Sequence, residues 1–144
     1  MANLTASATW LAQASVPARL PDGFGLNREV RRFIEKYTFD AAPAANDLIP
    51  LVRMQPGGNV KLIPHLSRIS HQGAGTTLTV SLVDSAGAVL FAAVNALTAG
   101  GINFGGEDLE VPLPADGQLF LKLATEADVV ANDVLQVSLA FVQE

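Results

Sequence analysis

The sequence contains no cysteine, so disulfide bonds and metal sites built from thiolates are both excluded. Charged residues are also scarce: they make up 16% of the chain, against ~25% of an average soluble domain. A surface with so few charges indicates that part of it is covered by another molecule. No stretch approaches the ~20 apolar residues of a transmembrane helix, so we expect no membrane partner.

Basic residues are nearly missing from the second half of the chain, where only Lys122 occurs. The net charge is −5, and binding to nucleic acid needs a concentrated basic face, so we expect no nucleic acid partner. Two interpretations of the asymmetry stay open. The charges are solvated and scattered, or one end of the protein docks on an acidic protein surface. Acidic residues crowd the end of the chain, at Glu107, Asp108, Glu110, Asp116, Glu126, Asp128 and Asp133.

Apolar and polar residues alternate most clearly in residues 76–84. Leu78, Val80 and Leu82 are separated by Thr79 and Ser81, which is the period of a strand with one buried face. The same pattern recurs in residues 119–123 and 135–141. One such strand cannot bury its apolar face alone, so the rest of the chain must supply its partners. We predict an all-β fold, a jelly-roll-like two-sheet β-sandwich of about eight strands.

Turn residues separate the other predicted strands, which cover residues 48–54, 60–69, 89–97, 109–113, 118–124 and 134–142. Pro64 implies an edge position or a bulge, and Gly87 suits the left-handed position of a hairpin turn. Residues 28–36 are ambiguous. Asn27 could cap a helix with an apolar face that includes Ile34 and Tyr37, whereas the β-prone residues that follow favour a strand, at least over the second half.

Residues 1–26 are predicted to form an extended arm, and residues 27–144 the sandwich domain. The arm lacks the positive start and the apolar run of a signal peptide, which indicates a protein made without export. Ordering the arm costs on the order of 25 to 50 kcal/mol of backbone entropy, and burying its apolar side chains returns roughly 10 to 20 kcal/mol. We therefore expect the arm to be mobile in an isolated protomer or ordered by a neighbouring chain, with wrapping around its own sandwich as the alternative.

No catalytic, metal or cofactor site is predicted. His65 and His71 have no nearby carboxylate in the sequence, so we interpret them as surface or interface residues. No nucleophile elbow occurs, and the glycine-rich residues 100–106 lack the lysine of a phosphate-binding loop. The acidic residues 107–110 could pair as glycosidase acids, although a solvated loop is the favoured interpretation. We expect a protein that is not an enzyme.

The tripeptide Ala-Asn-Asp occurs at residues 45–47 and again at residues 131–133, each time before an apolar run. Side chains of an Asn-Asp pair can satisfy backbone groups of a loop. We therefore predict two equivalent strand entries. A Ca²⁺ site at Asp47 or Asp133 is the less favoured alternative, because the spacing of an EF-hand is absent.

Several segments together resemble the small structural proteins of tailed-phage virions. They are residues 37–49, which contain Tyr-Thr-Phe and Ala-Asn-Asp-Leu-Ile, residues 52–58 and 75–80, and the closing residues 132–141. In particular they are similar to head decoration, or cement, proteins. The resemblance implies a non-enzymatic protein on the capsid exterior, assembled in the host cytoplasm and bound to the major capsid protein. It also implies a homo-oligomer, with a trimer favoured. The alternative is a carbohydrate- or receptor-binding sandwich of a head or tail fibre.

The arm and the basic residues that follow it are the predicted docking element. Trp10 is the strongest candidate anchor, because it combines a large apolar surface with an indole donor. The predicted partner-binding residues are Trp10, Leu11, Arg19, Phe24, Arg28, Arg31 and Arg32.

Overall fold

The computed structural model describes residues 4–5, 30–54, 59–73, 77–98, 100–105, 110–127 and 129–143. Within these residues the chain forms strands alone as its regular elements. They are β1 (Arg31–Thr38), β2 (Asp47–Arg53), β3 (Val60–Gln72), β4 (Thr77–Val83), β5 (Val89–Asn95), β6 (Ile102–Asn103), β7 (Val111–Pro112), β8 (Gln118–Ala127) and β9 (Val134–Gln143). None of the described residues forms a helix long and apolar enough to cross a membrane.

The strands form two sheets. Sheet 1 has the order β1-β9-β3-β6, with β7 also paired to β3, and sheet 2 has the order β2-β8-β4-β5. Neighbouring strands are antiparallel throughout. The all-β, two-sheet sandwich predicted from the sequence is confirmed. The first four strands alternate between the sheets, which is compatible with the predicted jelly-roll connectivity.

The core lies between the two sheets, and alternate residues along the strands supply its side chains. Leu119, Leu121 and Leu123 on β8 are fully buried, as are Leu135 and Leu139 on β9. Burying each such side chain contributes roughly 1.5 to 3 kcal/mol. The period-two pattern of the sequence therefore identified the inner faces of these strands correctly.

Residues 31–38 are a strand, which settles the ambiguity of this segment. β1 pairs with β9 over its whole length, from Arg31 opposite Phe141 to Thr38 opposite Val134. A strand places Ile34 and Tyr37 on opposite faces, so Tyr37 is buried whereas Ile34 is 61% exposed. The helical interpretation, in which both belong to one apolar face, is wrong for these residues.

A bulge interrupts β3 at the predicted Pro64. Ile63 pairs with Ala140 and Arg68 pairs with Ser138, so residues 64–67 lie opposite a single residue of β9. Ser67 holds the bulge closed, because its hydroxyl donates to Ile63 O at 2.8 Å and accepts from Ala140 N at 3.0 Å. Proline is tolerated here because the bulge needs no ladder hydrogen bond from its nitrogen.

The two Ala-Asn-Asp turns have the same geometry, as predicted. In the first, Asp47 N donates to Ala44 O at 3.2 Å, and Asp47 Oδ2 accepts from Ala44 N at 2.9 Å. In the second, Asp133 makes the corresponding bonds to Val130, each at 3.2 Å. The asparagine in each turn has a positive φ, 68° and 73°, a conformation that asparagine tolerates well. Both turns lead directly into strands.

Candidate docking surface

Five of the predicted docking residues lie outside the residues that the structure describes. They are Trp10, Leu11, Arg19, Phe24 and Arg28. The other two, Arg31 and Arg32, are consecutive on β1 and therefore point to opposite faces of sheet 1. Arg31 is half-buried, and Arg32 is exposed. The structure thus does not bring these two arginines together on one surface.

The guanidinium of Arg32 is held across sheet 1 by neutral acceptors. Its Nη1 atom donates to Leu66 O in the β3 bulge at 2.9 Å and to Ser138 Oγ on β9 at 3.2 Å. Arg32 therefore reaches from the edge strand β1 over β9 to β3. These bonds fix the side chain in place and leave its charge uncompensated by any carboxylate of the described residues.

Arg68 lies on the same face, because it pairs with Ser138, which in turn pairs with Ile34 of β1. Its Nη2 atom donates to Gly100 O in the loop between β5 and β6. The side chain borders a surface depression of about 230 Å³, whose lining residues are Arg68, Ile69, Ser70, Gly100, Gly101, Gln136 and Ser138. Ser138 therefore lies between two guanidinium groups that are anchored from different strands.

Ile34 lies at the β1 edge of this surface, between Arg32 and Lys36 on the same face of that strand. We call the set Arg32, Ile34, Lys36, Arg68 and Ser138 the cationic face. Among the described strand residues of sheet 1 the one acid is Glu35, which points inward and is 7% exposed. One described carboxylate beside sheet 1 lies next to a different cation, Lys61 of β3.

That carboxylate belongs to Glu110, whose Oε2 atom lies 3.6 Å from Lys61 Nζ. Arg32 and Arg68 have no carboxylate within 4.0 Å among the described residues, because their polar contacts go to backbone carbonyls and a hydroxyl. A protein of net charge −5 thus presents an aliphatic side chain surrounded by cations. Such an arrangement is typical of a surface that meets acidic groups.

The interpretation of His71 as a surface residue without a carboxylate neighbour is wrong. Its side chain is completely buried, and its Nε2 atom lies 3.5 Å from Asp133 Oδ2. The ring also makes an edge contact with Phe39, at a centroid distance of 6.2 Å. Burial lowers the pKa of His71, and the nearby Asp133 carboxylate opposes this only in part. His65, by contrast, is exposed as predicted.

Among the described residues no group of three or more His, Asp or Glu side chains is arranged to hold a metal ion. Asp47 and Asp133 each use a carboxylate oxygen to close their own turn. This agrees with their interpretation as strand entries.

The start of the predicted arm contacts the chain's own sandwich. Leu4 N donates to Leu48 O at 2.8 Å, and the Leu4 side chain packs against the core. Thr5 Oγ1 donates to the Asp40 carboxylate. β2 is the edge strand of sheet 2, so the Leu48 carbonyl needs a donor from outside the sheet. At Leu4, the backbone hydrogen-bond partner demanded by the entropy argument is this edge.

No protein-family model and no curated protein matches the sequence. Two solved structures share its fold. The chain is similar to a chain of the cyanophage Pam1 capsid asymmetric unit, with 13% identity, a TM-score of 0.51, and coverage of 89% of this chain and 95% of that one. It is also similar to a chain of the capsid of Ralstonia phage GP4, with 22% identity, a TM-score of 0.50, and coverage of 96% and 97%. The resemblance to phage virion proteins is thus confirmed at the level of the fold.

Sequence reasoning missed Arg68 and Ile34 as surface residues of one patch. Ile34 resembled a core residue, and Arg68 is far from Arg32 in the chain. The missing signal was the strand register, since only the pairing of β9 with both β1 and β3 places them side by side. Arg32 and Lys36 flank Ile34 at alternate positions, which could have indicated an outward-facing Ile34 once a strand was assumed.

Proposed function

We propose that this protein is a non-enzymatic decoration, or cement, protein that binds the exterior of an assembled tailed-phage capsid and stabilises its lattice. The observation that supports this best is the fold likeness to chains of two phage capsids. It extends over 89% and 96% of this chain and over 95% and 97% of theirs. The shared unit is therefore nearly the whole chain in each case, and not a common fragment inside a larger protein.

The proposed mechanism is the bridging of neighbouring capsomers. A protein that binds only the assembled lattice adds its binding free energy to the work needed to separate the subunits. Many copies act on one particle, so each contact needs only modest affinity. The protein works as a homo-oligomer, with a trimer favoured, and its partner is the major capsid protein.

Residues 1–26 are the proposed docking element, with Trp10 as its main anchor beside Leu11, Arg19, Phe24 and Arg28. Leu4 is bonded to the edge of β2 and Thr5 to Asp40, which follows β1. β1 begins at Arg31, so described residues of the sandwich lie on both sides of residues 6–29 in the sequence. A tethered segment loses less entropy on binding than one free at one end, which favours its use as a docking element.

The proposal is tested by adding the purified protein to capsids that have been stripped of it and measuring binding and resistance of the particles to heat. The full chain should bind and raise the disruption temperature. A variant lacking residues 1–26 should fold and yet bind at least tenfold more weakly. Leu4→Ala tests the tether separately: it removes the side chain that packs this segment on the core, leaves the docking residues intact, and should weaken binding less than the truncation does. Equal binding by the truncated and full chains would refute the arm as the docking element.

The alternative function, recognition of carbohydrate or of a receptor, calls for exposed aromatic rings. Among the described residues the large exposed apolar side chains are all aliphatic. They are Val30, Ile34, Leu66, Val89 and Val130. Tyr37, Phe39, Phe91 and Phe104 are buried in the core. The described surface therefore favours the capsid role over the fibre role.

A further inference from the structure

The cationic face has a counterpart elsewhere on the same chain. The turn between β4 and β5 contains Asp84, and the turn before β8 contains Asp116. The Ser85 hydroxyl donates to the Asp116 carboxylate, so the two turns are joined. Val89, which begins β5 beside them, is 63% exposed. We call Asp84, Val89 and Asp116 the acidic ledge.

The carboxylates of the ledge are held in place by hydrogen bonds within their turns. Asp84 Oδ1 accepts from Ala86 N at 2.9 Å and from Ala88 N at 2.8 Å. The hydrogen bond from Ser85, together with one from Gln118 N at 3.0 Å, lowers the pKa of Asp116. Neither carboxylate has a cation within 4.0 Å among the described residues. Each keeps lone pairs that its turn does not use.

The two surfaces match in chemistry. Among the described residues, the cationic face presents Ile34 beside guanidinium and ammonium groups with no carboxylate partner, and the ledge presents Val89 beside carboxylates with no cationic partner. Arginine and carboxylate form strong paired hydrogen bonds when both are held in place, and both partners are held here. The aliphatic side chains would bury each other at the centre of the contact.

One chain cannot make this contact with itself. The cationic face is the outer side of sheet 1, whereas the ledge belongs to turns that join strands of sheet 2 or lead into them. The core of the sandwich lies between them. We propose that the cationic face binds the acidic ledge of a second copy of this chain. Such a head-to-tail contact uses two different surfaces and leaves one of each unpaired until a ring closes.

This inference rests on the proposed homo-oligomer and is independent of capsid binding. It is tested by sedimentation velocity on the purified full chain across a range of protein and salt concentrations. Arg68→Glu and Asp116→Arg should each weaken self-association at least tenfold, because each places like charges opposite one another. The double variant that carries both substitutions should recover association, because the exchanged charges attract again. High salt should weaken the wild-type contact.

Lys122→Glu is the matched control, since it makes the same charge change on β8 in sheet 2 and should leave association unchanged. Arg68→Gln and Asp116→Asn are milder variants that keep polar groups for the local hydrogen bonds, and circular dichroism verifies that every variant is folded. The inference is overturned if the wild-type chain is monomeric at all concentrations, or if the single variants associate normally. It is also overturned if the double variant fails to recover.

Capsid binding separates this inference from the proposed function. If the arginine variants lose binding to stripped capsids while their self-association is unchanged, the cationic face belongs to the capsid contact and the second copy is excluded as its occupant. If a strictly monomeric chain still binds capsids, the decoration role stands without this interface.

Discussion

A Cβ atom at Gly117 would lie 1.8 Å from the carbonyl oxygen of Met54. The two backbones are this close because Met54 N donates to Gly117 O at 2.7 Å, which ties the end of β2 to the start of β8. Gly117 also has a φ of 69°, in the region that glycine occupies without strain. Two independent features therefore require glycine at this position.

Gly117→Ala should consequently destabilise the protein by more than about 3 kcal/mol, because the added Cβ meets the Met54 backbone, which cannot move aside as a flexible side chain would. Chemical denaturation measures the loss. Gly87→Ala is the matched control: its φ is 88°, yet nothing lies within 4 Å of the added Cβ. Gly87→Ala should lower the free energy of unfolding by only about 1 to 2 kcal/mol, which is the strain of a left-handed backbone at a residue that has a Cβ atom. Equal losses for the two variants would show that the Met54 contact carries no penalty.

His71 should make the protein less stable as the pH falls. Burial holds the pKa of His71 below its ordinary value, so the unfolded chain binds a proton near pH 6.5 while the folded chain does not. Stability is therefore full above that pH and declines as the pH falls through it, by up to about 1.4 kcal/mol per pH unit for one proton. Denaturation midpoints measured across this range test the expectation.

His71→Leu should remove this part of the pH dependence. Neither ring nitrogen of His71 makes a hydrogen bond within the described residues, so an apolar replacement leaves little unsatisfied at neutral pH. His65→Gln is the control, because His65 is exposed and its removal should leave the pH profile unchanged. An unaltered profile in His71→Leu would assign the decline to other groups.

Asp47→Ala should destabilise the protein by roughly 1 to 3 kcal/mol, because Ala44 N loses its carboxylate acceptor at a position where Asp47 is 7% exposed. Asp47→Asn keeps a side-chain oxygen in the same place and should lose less than half as much. Thermal melts of the two variants compare them directly. If asparagine is as damaging as alanine, the charge and not the hydrogen bond holds the turn.

Trp10→Ala should weaken capsid binding by ~2 to 4 kcal/mol per site if Trp10 anchors the arm. The melting temperature of the sandwich should change little, because the fully buried core residues among those that the structure describes all lie in the range 37–141. Binding is measured on stripped capsids by co-sedimentation. Leu11→Ala, in the neighbouring position, shows whether the loss is specific to the indole.

The sequence indicated the sandwich because its strands bury one face each, and burial leaves a period-two pattern in β4, β8 and β9. Pro64 indicated the bulge, and the two Asn-Asp pairs indicated turns, because the backbone conformation at these places restricts which residue types can occur. β1 was ambiguous because Ile34 is apolar and exposed, so its pattern resembles a helix until its pairing with β9 is known.

The surroundings of His71 were not predictable for a different reason. Its carboxylate neighbour Asp133 is adjacent only through the pairing of β3 with β9, in which His71 lies opposite Leu135. The cationic face was not predictable for the same reason, since Arg32 and Arg68 come together only because β1 and β3 both pair with β9. Contacts between strands distant in the chain depend on register, and no local pattern of residues encodes them.

The position of β9 between β1 and β3 also sets the timing of folding. On the ribosome β1 emerges first of the nine strands and β9 emerges after all the others, so the strand that joins β1 to β3 is missing during most of synthesis. Pairing over such distances is slow, and the exposed edges of β1 and β3 need protection from aggregation meanwhile. A chain interrupted before β9 cannot bring Arg32, Ser138 and Arg68 together. Incomplete translation products therefore lack the cationic face and do not compete with finished chains for its partner.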